Sequence, residues 1–148
     1  MDYPPLVHYR DPEEYRKHFE SVYCQGPILT FDGIEVRFRK SDFAHAFYES
    51  SRKGGHKDKF APSRAEKIDW IKAALEDPTS ERYQGWDHNR KRYTRKRRVA
   101  IVRHTYVVVI ELTSQTTAVF ITAYTDREAR SPGRPRTVDQ ISGGPKWA

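Results

Sequence analysis

Three runs in the second half of the chain, residues 99–102, 106–112 and 118–124, are apolar and rich in β-branched and aromatic side chains. The connectors between them are short and polar, Arg103-His104-Thr105 and residues 113–117. Parallel neighbours need a crossover of roughly a dozen residues, so strands linked this tightly form an antiparallel meander. Residues 83–86 and 91–94 are weaker strand candidates. On the last strand, alternation places Val119, Ile121 and Ala123 on one face and Ala118, Phe120, Thr122 and Tyr124 on the other. The aliphatic set suits packing under helices. The second set carries a hydroxyl beside a phenol and is expected on an open face.

The first half supplies the helices. Asp11-Pro12-Glu13-Glu14 is a helix start with a cap, a first-turn proline and a glutamate that can reach back. Tyr15, Phe19, Val22 and Tyr23 follow at helical spacing, and Gln25-Gly26-Pro27 stops the helix. Residues 28–39 read as a β-hairpin turning at Asp32-Gly33, with Ile34, Val36 and Phe38 alternating with charges. Ser41 opens a second helix over residues 42–50, followed by a polar loop at 51–59. Pro62-Ser63 starts a third helix, with Ser63 and Glu66 as a capping box, Ala65, Ile68, Ile71 and Leu75 as its core stripe, and Asp77-Pro78 as its end. The expected fold is α+β, with N-terminal helices and a β-hairpin packed on one face of a C-terminal antiparallel sheet. Residues 1–126 form one domain. Residues 127–148, with Ser-Pro-Gly-Arg-Pro-Arg and Gly-Gly-Pro, are expected to be a flexible or loosely packed basic tail.

Charge is concentrated. Arg90 to Arg98 holds seven of the 27 basic residues and no acidic one; the other 20 basic residues balance the 20 acidic ones. A net charge confined to one stretch is the arrangement of a patch that meets a polyanion, although a solvated basic loop has the same composition. The single cysteine, Cys24, excludes an internal disulfide framework and a zinc site built on paired cysteines. No apolar run reaches the roughly 18 residues of a membrane span, and the start has no secretory signal, so the expected setting is cytoplasmic. No glycine-rich phosphate loop followed by Lys-Ser or Lys-Thr is present.

Metal-dependent nuclease chemistry needs clustered carboxylates or histidines. Asp87-His88-Asn89 lacks a convincing second histidine ligand and reads better as a basic turn. Metal-free RNA cleavage asks for less: a base for the ribose 2′-hydroxyl, an acid for the leaving 5′-oxygen, and donors or cations for the charged phosphorane. His45, within Phe43-Ala44-His45-Ala46-Phe47-Tyr48, lies off both the Phe43–Phe47 and the Ala44–Tyr48 rows and can face a cleft beside the sheet. A structural histidine fits that position as well. His56, with Lys57 and Lys59, is the alternative proton donor or phosphate contact, and Arg64 opens the third helix, where free amides favour an anion. Neither cofactor nor metal is expected.

These residues also make up a pattern. Phe43-x-His45-Ala46-Phe47-Tyr48, Lys57-Asp58-x-Phe60, Arg64-Ala65-x-x-Ile68-x-Trp70-Ile71 with Leu75 and Pro78, and Phe120-x-Thr122-Ala123-Tyr124 resemble phage barnase-like nucleases. Those nucleases belong to the barnase/EndoU/colicin/RelE superfamily of RNases and toxins. The likeness spans about residues 28–124. It implies helices in front of an antiparallel sheet, RNA cleavage without metal, and catalytic roles for His45, Arg64, Thr122 and Tyr124. It leaves acid and base unassigned, because no glutamate base of the kind barnase uses is evident.

The resulting expectation is a metal-independent endoribonuclease acting as a toxin or toxin-like effector. His56, Lys57, Lys59, Arg95, Arg97, Arg98 and Phe120 are its candidate RNA contacts. A neutralising acidic antitoxin or immunity protein would be its partner, with no role for a membrane. A non-catalytic RNA- or DNA-binding module is the alternative, and a phage assembly protein is a third reading.

Overall fold

The computed structural model describes residues 3–50, 58–126 and 137–147. The first helix, α1 (Pro12–Tyr23), is capped by Asp11, whose carboxylate accepts the Glu14 amide at 3.0 Å. Glu14 reaches back to the Arg10 amide at 3.2 Å. Tyr15, Phe19 and Tyr23 make its buried stripe. The hairpin follows as β1 (Ile28–Leu29) and β2 (Glu35–Arg37), with Gly33 at φ +87° in the turn, where a side chain would be strained. The second helix, α2 (Asp42–Phe47), is shorter than its pattern suggests. The chain leaves it as β3 (Tyr48–Glu49), which pairs antiparallel with β4 (Lys59–Phe60).

The third helix is split into α3 (Pro62–Ala65) and α4 (Trp70–Glu76). The cause is Tyr23. Its buried hydroxyl donates to the Ile68 carbonyl at 2.6 Å and accepts the Lys72 amide at 3.0 Å. Those two groups would bond to each other in an unbroken helix, so the phenol stands in the ladder and opens it. Lys67, Ile68 and Trp70 then bond three residues back, to Arg64, Ala65 and Lys67. The expected Ser63–Glu66 capping box does not form either. Ala61 is the cap residue, and it provides no side-chain bond.

The sheet continues with β5 (Glu81–Asp87), β6 (Arg92–Val102), β7 (Tyr106–Leu112) and β8 (Thr117–Thr125). The weak candidates are real: residues 83–86 lie in β5, and residues 92–94 join 99–102 in one long strand. Arg103 and His104, both at positive φ, make the tight turn to β7. Strand order is β1-β2-β8-β7-β6-β5. All pairs are antiparallel except β2 with β8, which run parallel with residues 35–37 against 117–119. The fold is α+β, and the hairpin extends the sheet edgewise instead of lying on its face. Its three-residue second strand gives the start of β8 hydrogen-bond partners. Past Arg37 the chain leaves the sheet, and α2 and α3 pack beside the remainder of β8.

The core lies between helices and sheet, where Phe38 stacks on Phe120 with ring centroids 4.7 Å apart. Even-numbered residues of β6 and β7, among them Val102, Tyr106, Val108 and Ile110, enter this core. Odd-numbered Val99, Ile101, Val107 and Val109 form a second cluster on the opposite face with Tyr83. On β8 the simple alternation fails. Val109 pairs with Thr122 but Ile110 pairs with Phe120, so Ile121 is an extra residue in a bulge. The bulge swaps the faces: Ala118 and Phe120 point under the helices, and beyond it Ala123 does. Thr122 and Tyr124 keep the open face that alternation assigned them, and the bulged Ile121 joins them there.

The described end of the chain is docked, in contrast to the loose tail expected for 127–148. After α5 (Thr137–Ser142), Ile141 packs on the open-face cluster. Lys146 bridges Tyr83 on β5, and the Trp147 amide donates to the Arg82 carbonyl at 3.1 Å. These bonds occupy the outer edge of β5, which would otherwise present unpaired backbone groups. Among the described residues no helix is long and apolar enough to cross a membrane.

Candidate nucleic-acid interface

The open face carries a groove of about 570 Å³. Val99, Val109 and Ile121 supply apolar surface to it, and Thr122 and Tyr124 of β8 line it. Gln140 and Ile141 line it from α5, and Trp86, His88, Tyr93 and Arg97 from the β5–β6 hairpin. Two of the four predicted catalytic residues thus share one concave surface with part of the basic run.

Tyr124 also senses a third. Burial and the nearby Asp126 carboxylate push its phenol above the ordinary value, and the Arg64 guanidinium pulls it back. Burial thus favours the protonated, neutral form of the phenol. Arg64 is half-buried on α3, which packs against β8. His45 sits on the exposed side of α2, the other helix against β8, while Phe43, Ala46 and Phe47 bury its inner side. The helices of His45 and Arg64 both meet β8, but neither residue is among those that line the groove.

Lys67 belongs to the same margin. Its Nζ donates to Thr125 Oγ1 at 2.6 Å and lies 5.1 Å from the centre of the Trp70 ring. Burial lowers its pKa. Its spacing of three from Arg64 is the sequence signal that places the two cations together.

Two of the expected RNA contacts are buried instead of facing solvent. Phe120 is fully buried against Phe38 and cannot stack on a base. Arg98 is 2% exposed. Its Nη1 donates to Asp32 Oδ2 at 2.7 Å, and its guanidinium faces the Phe31 and Trp147 rings. It is a structural charge, placed inward because β6 alternation puts it opposite Ile110 on the helix side. The Asp32 carboxyl feels an opposing burial penalty, but Arg98 and the Thr30 hydroxyl hold it below its usual range.

The rest of the basic run behaves differently. Gln84 pairs with Arg98 and Gly85 with Thr94, so Arg95, Lys96 and Arg97 arch out of the β5 ladder. Arg95 and Lys96 are exposed. The arch is anchored by Trp147 Nε1, which donates to the Arg95 carbonyl at 2.9 Å. Arg97 is half-buried, with its stem over Gly85, where a Cβ would collide with it, and its head 3.6 Å from Glu111. Lys59 is exposed on β4, and His56 and Lys57 lie outside the described residues. His88 lies in the expected basic turn, between β5 and β6, and also lines the groove. Among the described residues no three His, Cys, Asp or Glu side chains converge as a metal site requires. No family model matches the chain, and neither a curated protein nor a solved structure matches it.

Proposed function

We propose that this chain is a metal-independent endoribonuclease, a toxin or toxin-like effector that cleaves cytoplasmic RNA at the β8 side of the open-face groove. The supporting observation is the placement of Thr122 and Tyr124 in one groove with Arg97 and His88, while the charge of Arg64 acts on the Tyr124 phenol. In this reading Arg97 and its exposed neighbours draw the backbone in, and Arg64 neutralises the scissile phosphate. The Thr122 hydroxyl and the protonated Tyr124 phenol donate to the phosphorane oxygens. The 2′-oxygen attacks phosphorus as it loses its proton to a base, and the P–O5′ bond breaks as an acid protonates the leaving oxygen. His45 is one of the two proton carriers. The products are a 2′,3′-cyclic phosphate and a 5′-hydroxyl. An acidic protein covering the basic face would neutralise the enzyme.

Pure protein incubated with total RNA in chelator should yield fragments with 2′,3′-cyclic phosphate ends. RNA that is retarded but intact would replace this reading with a non-catalytic binding module. The electrostatic part has its own test. Reversing exposed Arg95 and Lys96 to Glu, with Arg98 left in its buried pair, should weaken RNA retention. It should also flatten the log–log salt dependence by about one unit per lost phosphate contact. An unchanged slope would remove the arch from the interface.

A further inference from the structure

We propose that Trp86 and Tyr93 form a stacking platform for an unpaired RNA base, with Lys96 and Arg97 receiving the adjoining phosphate. This deepens the nucleic-acid reading of the open face and is independent of whether the chain cleaves. The two rings are cross-strand partners in the β5–β6 hairpin, with centroids 5.2 Å apart and planes at 80°. They are 41% and 39% exposed, against the general tendency of large aromatics to be covered. Tyr93 is braced from behind, since the backbone at Gly144 runs against its ring.

What surrounds the pair identifies the occupant. Trp86, His88 and Arg97 stand between the groove and a second, polar hollow of about 280 Å³ that also takes in Thr94 and Lys96. One side thus presents apolar and aromatic surface and the other presents cations. A nucleotide has the same division, a flat base with two π faces and an anionic phosphate. The acidic groups bordering the hollow are engaged. Asp87 accepts the Asn89 and Arg90 amides at 2.9 and 3.2 Å, and Glu111 faces the Arg97 head at 3.6 Å. Neighbouring Arg90, Lys91, Arg92 and Arg95 are exposed and extend the cationic surface. A base inside a duplex has both faces covered, so such a platform selects a single strand.

The test is equilibrium binding of the full chain to a fluorescent oligo(2′-O-methyl-uridine), which lacks the attacking hydroxyl, and to its duplex with a complementary strand. Trp86→Ala should weaken single-strand binding about 5- to 150-fold, the range that one base–aromatic stack supplies. Trp86→Phe should keep most of the affinity, and duplex binding should not change. The salt slope should stay that of the parent for both variants and fall for Lys96→Glu. Single-strand affinity unaffected by Trp86→Ala overturns the platform, and so does an equal loss on single strand and duplex, which marks a merely structural role. A parent that binds neither probe removes the nucleic-acid reading and the platform together. Binding with the predicted Trp86 pattern in a protein that never cleaves RNA sustains the platform and ends only the nuclease reading.

Discussion

His45→Ala should slow RNA cleavage by at least about a hundredfold, because a positioned proton carrier typically contributes a hundred- to ten-thousand-fold. The fold should survive, since His45 is exposed and the core side of α2 is Phe43, Ala46 and Phe47. Single-turnover cleavage with RNA in excess of its dissociation constant, alongside a thermal melt, measures both. Tyr124→Phe keeps the ring on the open-face cluster and removes only the O–H, so its loss reports the hydrogen bond to the phosphate. Thr122→Val should cost less than His45→Ala. Arg64→Lys keeps the charge and removes the guanidinium fork, which separates bidentate contact from simple electrostatics. His88→Ala is the decisive comparison. If it abolishes cleavage while His45→Ala does not, proton transfer takes place at the hairpin end of the groove and the assignment of His45 is wrong.

Asp32→Ala should destabilise the fold by an amount near the lower end of about 3–5 kcal/mol, the cost of stripping the partner from a buried charge. Arg98 is the deeply buried member and Asp32 is in partial contact with water, which lets solvent recover some of the loss. Urea denaturation of variant and parent gives the difference. A change below about 0.5 kcal/mol, the ordinary range for a surface substitution, would show that Arg98 finds other solvation. The same pair sets an acid limit. The Asp32 carboxyl has its folded pKa below the unfolded value of about 3.9. Its contribution is therefore complete above that value and disappears as pH falls through the lower folded pKa. Asp32→Asn should flatten the fall in stability over that acid range, and an unchanged pH profile would contradict the linkage.

The elements of this protein were legible because each is written in local pattern. The Asp11–Pro12 start, the Asp32-Gly33 turn and the apolar runs of β7 and β8 depend on backbone preference and burial period, which act over a few residues. The presence of Thr122 and Tyr124 on a shared face followed from a spacing of two on one strand. Other features depend on residues far apart in the chain. The break between α3 and α4 needs the Tyr23 hydroxyl, which reaches Ile68 from 45 positions away. The face on which Phe120 sits turns on a one-residue bulge opposite Val109 and Ile110, and a bulge leaves no mark in alternation. In the basic run, Arg95 and Arg98 are the same residue type three apart, yet one is exposed and the other buried. The difference is made by Asp32 and Phe31, which only folding brings to Arg98. The local code thus determined the elements and the reservoir of charge, whereas tertiary pairing decided which charges hold the fold and which stay on the surface. A buried cation is stable only beside a counter-charge that sequence distance conceals.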